Sequence, residues 1–405
     1  MVSDRFRWVY CQLDNLRRCM PSSSRKALDE LPVTLDETYE RILQGIPKQK
    51  LHHARRLFQC MVAAIRPLRV EELAEIFAID FGPDVEASLI EDWRPANPDE
   101  AVLSTCSTLI AIIEDQGSKI VQFSHFSVKE FLTSDRLQLS DVGNIREFYV
   151  PLEPAHTILA LACLSVLLQL DINVDKSTFP LAFYAAQHWF DHAKFEEVAS
   201  GIQAPMERLF NPKKPFFRAW ICLQGVLRRN QTLDHLIRYS PSPRETPLYY
   251  AVVHDFSRLA EHLIVTHGQD VNVSHDFMRR GLLHVASLYG NFQAAHVLLD
   301  HGARVNTRDL RRWTPLHSAS HRGHAKIVQL LLEHGGYLNA QAQFRQTALF
   351  LASRSGHLEV VRLLLVRGAD MKIKGERDLL PSQVAARHRH HDIVQLLLEH
   401  GSERE

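Results

Sequence analysis

A 33-residue period runs through the C-terminal part of this chain and limits what it can fold into. The stretch "TPLHSASHRGHAKIVQLLLEHGGYLNA" from position 314 returns as "TALFLASRSGHLEVVRLLLVRGADMKI" from 347, and "GLLHVASLYGNFQAAHVLLDHGARVNT" begins 33 residues earlier, at 281. Weaker copies begin at 246 and 380. Within one copy, Thr314 reads as a helix N-cap, and Pro315 sits in the first turn, where a missing N–H costs nothing. Gly323 ends that helix so that the chain can turn back. Ile327, Val328, Leu330, Leu331 and Leu332 give the second helix a broad apolar face, and Gly335 supplies a left-handed C-cap. A single unit cannot bury both of its faces, so the units must stack as a solenoid.

Period and motif together resemble the ankyrin repeat, over copies 246–280, 281–313, 314–346, 347–379 and 380–405 of a domain spanning 241–405. The outer copies depart from the pattern: Asp255 and Arg389 stand where the inter-helix glycine belongs, as expected of atypical terminal caps. The hairpin tips depart too, with Arg312 and Arg345 in place of the family's tip glycine. Arg279, Arg280, Arg308, Arg311 and Arg377 lie on neighbouring tips. The resemblance implies a protein partner, held on a concave face formed by the residues before each inter-helix turn. In this chain those are Val253, His254, Leu288, Tyr289, His321, Arg322, Arg354 and Ser355. The tip arginines Arg311, Arg312 and Arg345 form either a second docking edge for an acidic partner or a solvated rim.

Ahead of the repeats, Phe6, Val9, Leu13, Leu16 and Met20 form one helical stripe, ended by Pro21. Thr34 and Glu37 read as a capping box for the helix "LDETYERILQGI". A strongly amphipathic helix follows over 51–65, then a shorter one over 70–79. After a polar, acidic loop over about 82–99, "VLSTCSTL" reads as a third helix. "LIAIIED" and "KIVQF" then form a hairpin across Gln116-Gly117-Ser118, and "SVKEFLTSD" closes the unit as another helix. Three helices and one small β-hairpin make a winged-helix domain, 34–140. Its acidic intervening loop, with Asp80, Asp84, Glu86, Glu91, Asp92, Asp99 and Glu100, sets it apart from basic DNA readers, whose helices join by a tight turn. The apolar stretch "TILALACLSVLLQL" over 157–170 is too short to span a bilayer and reads as a buried helix of a linker domain, 141–240.

The segments "FRWVYCQLDNLRRC", "LPVTLDETYERIL" and "FSHFSVKEFL", followed by "LAFYAAQHWFDHAKF", resemble the part that follows the nucleotide-binding core in fungal NACHT proteins of the STAND class, relatives of NLR receptors. On this resemblance residues 1–33 are the remnant of the helical segment after such a core, and a NACHT domain would pack on residues 1–140. The resemblance makes His125 the histidine that contacts the terminal phosphate of a bound nucleoside diphosphate. This sequence contains no G-x-x-x-x-G-K-[ST] phosphate loop, so the expected role of His125 here is a backbone hydrogen bond at the foot of the hairpin, and no cofactor is expected.

Lys and Arg together number 47 and so do Asp and Glu, which leaves no global field to draw the chain to nucleic acid or an anionic membrane. The start "MVSDRFRWVY" is unlike a signal peptide. The six cysteines are scattered singly, giving neither a zinc pattern nor a disulfide framework, and pointing to a reducing cytoplasm. "RHRHH" over 387–391 and His52-His53 read as solvated turns rather than metal sites. No G-x-S-x-G, H-E-x-x-H or G-x-G-x-x-G motif is present. The expectation is a mainly α chain: winged helix, helical linker and C-terminal ankyrin solenoid. It is expected to be a non-enzymatic, cytoplasmic interaction and regulatory module of NLR-like signalling. Two alternatives stay open: a truncated piece of a nucleotide-dependent NACHT switch, and a winged-helix DNA-binding regulator.

Overall fold

The structure, a computed structural model, describes residues 34–82, 87–115, 117–140, 145–170, 179–229, 246–274 and 278–402. The helix read over residues 6–20, the remnant 1–33, and Asp84, Glu86 and Gln116 lie outside the described residues. The chain divides into two compact units, Met1–Leu209 with Lys214–Tyr239, and Phe210–Lys213 with Ser240–Glu405.

The first unit opens with α1 (Leu35–Gln44), where Thr34 Oγ1 accepts from the Glu37 N–H at 3.1 Å. Helix α2 (Leu51–Ala63) buries Ala54, Leu57, Phe58 and Val62, the stripe its periodicity marks. Strand β1 (Leu68–Arg69) leads directly into α3 (Val70–Ile76). Here the expected helix over 70–79 is corrected: it stops at Ile76, and Ile79–Asp80 becomes β2, antiparallel to β3 (Ser88–Leu89). The third helix begins earlier than its apolar run, as α4 (Pro98–Cys106), because Asn97 caps it and Pro98 fits its first turn.

The expected hairpin is β4 (Ile110–Asp115) and β5 (Ser118–Phe123), in register from Ile110 opposite Phe123 to Asp115 opposite Ser118. Gly117, at φ +77°, supplies the left-handed turn. Strand β1 adds to the far edge of β5, with Leu68 opposite Val121, so the wing is a three-stranded sheet in the order β1-β5-β4. Two residues after a proline carry no readable alternation; only the free edge of β5 makes them a strand. Helices α5 (Phe126–Leu132) and α6 (Asp135–Gln138) close the winged helix, split where Ser134 caps the second.

The linker begins with α7 (Leu152–Leu167), which packs against α2 and against α8 (Ala182–His192). Its 16 residues rise about 24 Å, less than the ~30 Å of a hydrocarbon core, and it is buried by its neighbours. No helix among the described residues is long and apolar enough to cross a membrane. The short α9 (Glu196–Gly201) and α10 (Gln203–Leu209) precede α11 (Phe216–Arg229). Trp220 of α11 meets Trp189 of α8 edge to face at 5.8 Å and donates from Nε1 to the Ala186 carbonyl at 3.0 Å.

Two buried carboxylates tie these layers together. Glu72 accepts both arms of the Arg66 guanidinium, at 2.8 and 2.6 Å, and the Arg69 N–H at 2.8 Å. Glu75 takes Arg94 at 2.7 Å on one oxygen and the Leu181 N–H at 2.7 Å on the other, which fixes the linker's α8 onto the winged helix. Burial, the largest cause, raises the Glu75 pKa, and both partners oppose it.

Among the described residues the second unit has five helix pairs: α12 (Pro247–Val253) with α13 (Ser257–His267), α14 (Leu282–Tyr289) with α15 (Phe292–Asp300), α16 (Pro315–Arg322) with α17 (Ala325–Glu333), α18 (Ala348–Ser355) with α19 (Leu358–Val366), and α20 (Pro381–Arg387) with α21 (His391–Ser402). Leu331 is wholly buried, as are its counterparts Leu298 and Leu364. The inter-helix positions adopt left-handed backbone throughout: Gly323 at φ +82°, and the two departures Asp255 and Arg389 at +59° and +64°. Asp255 uses its carboxylate to accept the Ala294 N–H of the next pair at 2.8 Å.

Candidate functional site

Three of the helix pairs are locked to the pair before them by the histidine that follows their left-handed inter-helix position. His324, His357 and His390 hydrogen-bond through Nε2 to the carbonyls of Leu288, His321 and Arg354, at 3.3, 3.0 and 3.2 Å. Their rings lie directly over Gly290, Gly323 and Gly356, where an added Cβ would come within 2.6 Å. These glycines therefore serve twice, for positive φ and for close approach. The eight residues read as the concave face border this lock, and the structure divides them. Leu288, His321 and Arg354 accept the histidines through their carbonyls, and Val253 accepts the Asn291 side chain at 2.8 Å. His321 reaches Ser355 Oγ at 2.9 Å, and Arg354 lies 3.3 Å from Glu376. His254 is half-buried. Tyr289 and Arg322, one repeat apart, are the two whose side chains stand exposed.

The hairpin tips of successive repeats are joined to one another along an edge. Asp309 Oδ1 accepts the N–H groups of Arg311 and Trp313, both at 2.8 Å, and so shapes its tip. The Leu310 N–H donates to the Met278 carbonyl and the Gln343 N–H to the Arg311 carbonyl, both at 2.9 Å, stitching tip to tip. Arg279, Arg312, Arg345 and Arg377 all have φ between +57° and +59°, a region costly for residues bearing a Cβ. Arg311, Arg312 and Arg345 are exposed, as expected of an edge. The sequence reading missed their apolar neighbours: Leu310 and Phe344, 55% and 64% exposed, project from the same edge. Their one available signal was a large apolar residue at a tip position.

Behind the tips, His317 is fully buried. Its Nδ1 accepts from the Thr314 N–H at 3.1 Å and lies 2.8 Å from Thr314 Oγ1, and Nε2 reaches the carbonyls of Ala340 and Gln346 at 3.0 and 3.1 Å. Burial outweighs those two acceptors and depresses its pKa to about 4. The ring is a neutral strut between successive repeats, and the sequence reading did not single it out.

In the winged helix, His125 is the N-cap of α5. Its Nδ1 accepts from the Ser127 N–H at 3.3 Å and lies 2.6 Å from Ser127 Oγ, which in turn is 2.8 Å from the Tyr39 hydroxyl. The ring packs on Phe126 at 4.3 Å. His125 thus has the local backbone contact its position calls for, within a chain of polar groups reaching α1. Among the described residues no group of three or more His, Cys, Asp or Glu side chains could hold a metal ion. Cys60, Cys106, Cys163 and Cys222 are buried, and burial pushes the Cys60 thiol up to about 12, far from a reactive thiolate.

Comparison with known proteins follows these two regions. Three copies of the ankyrin-repeat family match, over residues 221–309, 283–375 and 337–405, and the winged helix domain of GPI inositol-deacylase matches over 39–143. The chain therefore carries ankyrin repeats and a NACHT-associated winged helix of the GPI-inositol-deacylase type. It is also similar to azaphilone pigments biosynthesis cluster protein L of Monascus ruber, at 31% identity over 299 residues. That alignment covers 69% of this chain and 61% of the relative, so the chain spans about three-fifths of the relative's length. Ankyrin repeats are in general protein-binding modules.

Proposed function

We propose that this chain is a non-enzymatic interaction and regulatory module of a fungal NACHT-type, NLR-like signalling protein, acting in the cytoplasm and binding a protein partner through its ankyrin repeats. The supporting observation is the tip edge: exposed arginines kept at positive φ, where glycine would be cheaper, alternate with exposed Leu310 and Phe344. Such an edge suits an acidic partner surface with apolar recesses, since arginine adds planar, directional hydrogen bonds to its charge. Tyr289 and Arg322 on the turn face extend the contact, both residue types being common anchors of interfaces. The test is capture from a cell extract by the parent chain and by a triple variant, Arg311→Ser, Arg312→Gly and Arg345→Gly. Partner recovery is expected to fall and its salt dependence to flatten while the melting temperature holds or rises. Equal recovery with unchanged salt dependence would return the arginines to a solvated rim.

The second reading, part of a nucleotide-dependent NACHT switch, rests on the match of the winged helix to a NACHT-associated type and on His125 at the place the resemblance assigns to the phosphate sensor. It requires a phosphate-binding core, which this sequence does not contain.

A further inference from the structure

A cleft of about 920 Å³ opens in the winged helix where the start of α2, the end of α3 and α4 converge. The volume falls within the ~300–1,000 Å³ typical of small-molecule sites. Lys50, His53, Arg56, Phe77, Phe81 and Trp93 are among its lining residues. Three of these are aromatic, and Trp93 is 54% exposed, a large ring surface left in solvent. The charge in the cleft is not balanced. The Arg56 guanidinium lies 4.0 Å over the Phe81 ring, donates to the Ile79 carbonyl at 3.3 Å and lies 3.2 Å from His52 Nε2. Lys50 donates to the Ser104 carbonyl at 2.9 Å. Neither cation has a carboxylate within ion-pair distance among the described residues. Asp80 is the single carboxylate of the lining, and its Oδ1 already accepts the Gly82 N–H at 3.0 Å. His52 and His53 are held below their ordinary pKa by burial and by Arg56, so near neutral pH the positive charge belongs to Lys50 and Arg56.

We infer that this cleft binds a small planar aromatic acid, its anionic group met by Arg56 and Lys50 and its ring stacked against the aromatic lining at Trp93. Asp80 acts on Arg56 from beyond ion-pair distance and offsets only one of the two cations, and a half-buried guanidinium with no carboxylate in contact gains most from an anion that arrives with its own apolar body, because the two are desolvated together. The aromatic walls take the ring by offset stacking, and Arg56, already laid on Phe81, presents its remaining N–H groups edgewise. This site is separate from the ankyrin edge and does not rest on the reading proposed for it.

The test is calorimetric titration of the full chain with naphthalene-2-sulfonate and with its neutral counterpart naphthalene-2-methanol. One sulfonate is expected to bind per chain, at least about tenfold more tightly than the alcohol. Arg56→Met and Trp93→Ala should each weaken the sulfonate by about tenfold or more, and Trp93→Ala should do so without moving the melting temperature. Trp93→Ala alters an exposed rim residue, so it carries the test even if Arg56→Met impairs folding. No heat at millimolar sulfonate, equal affinity for the two probes, or parent-like binding by Trp93→Ala would each overturn the assignment.

Discussion

His317 is neutral in the folded chain, with Nδ1 facing a donor and Nε2 facing two carbonyls. Its folded pKa of about 4 lies below the ordinary 6.5, so the unfolded chain binds more protons between those values. Stability from this residue is complete above pH 6.5 and is lost as the pH falls towards 4, about 3 kcal/mol over that window. Urea midpoints measured from pH 7 to 4.5 should show this slope, and His317→Gln should be less stable at pH 7 but flatter. Ser287, Ser320 and Ser353 occur one repeat apart, and each buries a hydroxyl with no hydrogen-bond partner among the described residues. Alanine at each is expected to stabilise by about 1 kcal/mol, read as a higher melting temperature; a lower one would mean the hydroxyls are satisfied by water. Arg312→Gly should likewise gain about 1 kcal/mol by relieving positive φ, which separates folding cost from docking use at one residue.

Among elements, a junction that tolerates no added side chain is the one where a repeat's histidine lies over the glycine of the repeat before it. Gly323→Ala puts a Cβ within 2.6 Å of the His357 ring at φ +82°, so it should cost at least about 2 kcal/mol and loosen the α16–α18 junction. Hydrogen exchange should report that loss at residues flanking the junction before it appears elsewhere. Leu331→Asp places an unpaired carboxylate in the same core, a cost of several kcal/mol. A melt matching the parent would refute the stacking. The repeat helices were legible in the sequence because caps, glycines and apolar faces recur at one period. The wing was legible only in part: β4 and β5 are runs rich in Ile and Val that flank a turn, whereas β1, β2 and β3 are two residues each and exist only by pairing. Arg66–Glu72 and Glu75–Arg94 were not legible, since nothing local says which of the chain's 47 carboxylates becomes buried.

For the whole molecule, the expectation is that titration with ADP, ATP or GTP and Mg²⁺ gives no binding, because the sequence holds no phosphate loop. His125→Ala should then cost only the α5 cap, roughly 0.5–1.5 kcal/mol, seen in the melting temperature. Micromolar nucleotide binding lost in that variant would make His125 a phosphate contact and favour the switch reading. The sequence by itself determined the helical class, the five-copy stack and the winged helix, because each is written in short-range signals of spacing, caps and turns. It also placed the arginines on the tips, since the tip position is fixed by the period. Only the tertiary structure decided which of those candidates are available. Leu288, His321 and Arg354 turned out to accept inter-repeat hydrogen bonds, Leu310 and Phe344 joined the exposed edge, and Lys50, Arg56 and Trp93 met around one cleft. The physical reason is range: a cap or a turn is settled within four residues, while burial, pairing and convergence depend on residues tens of positions away.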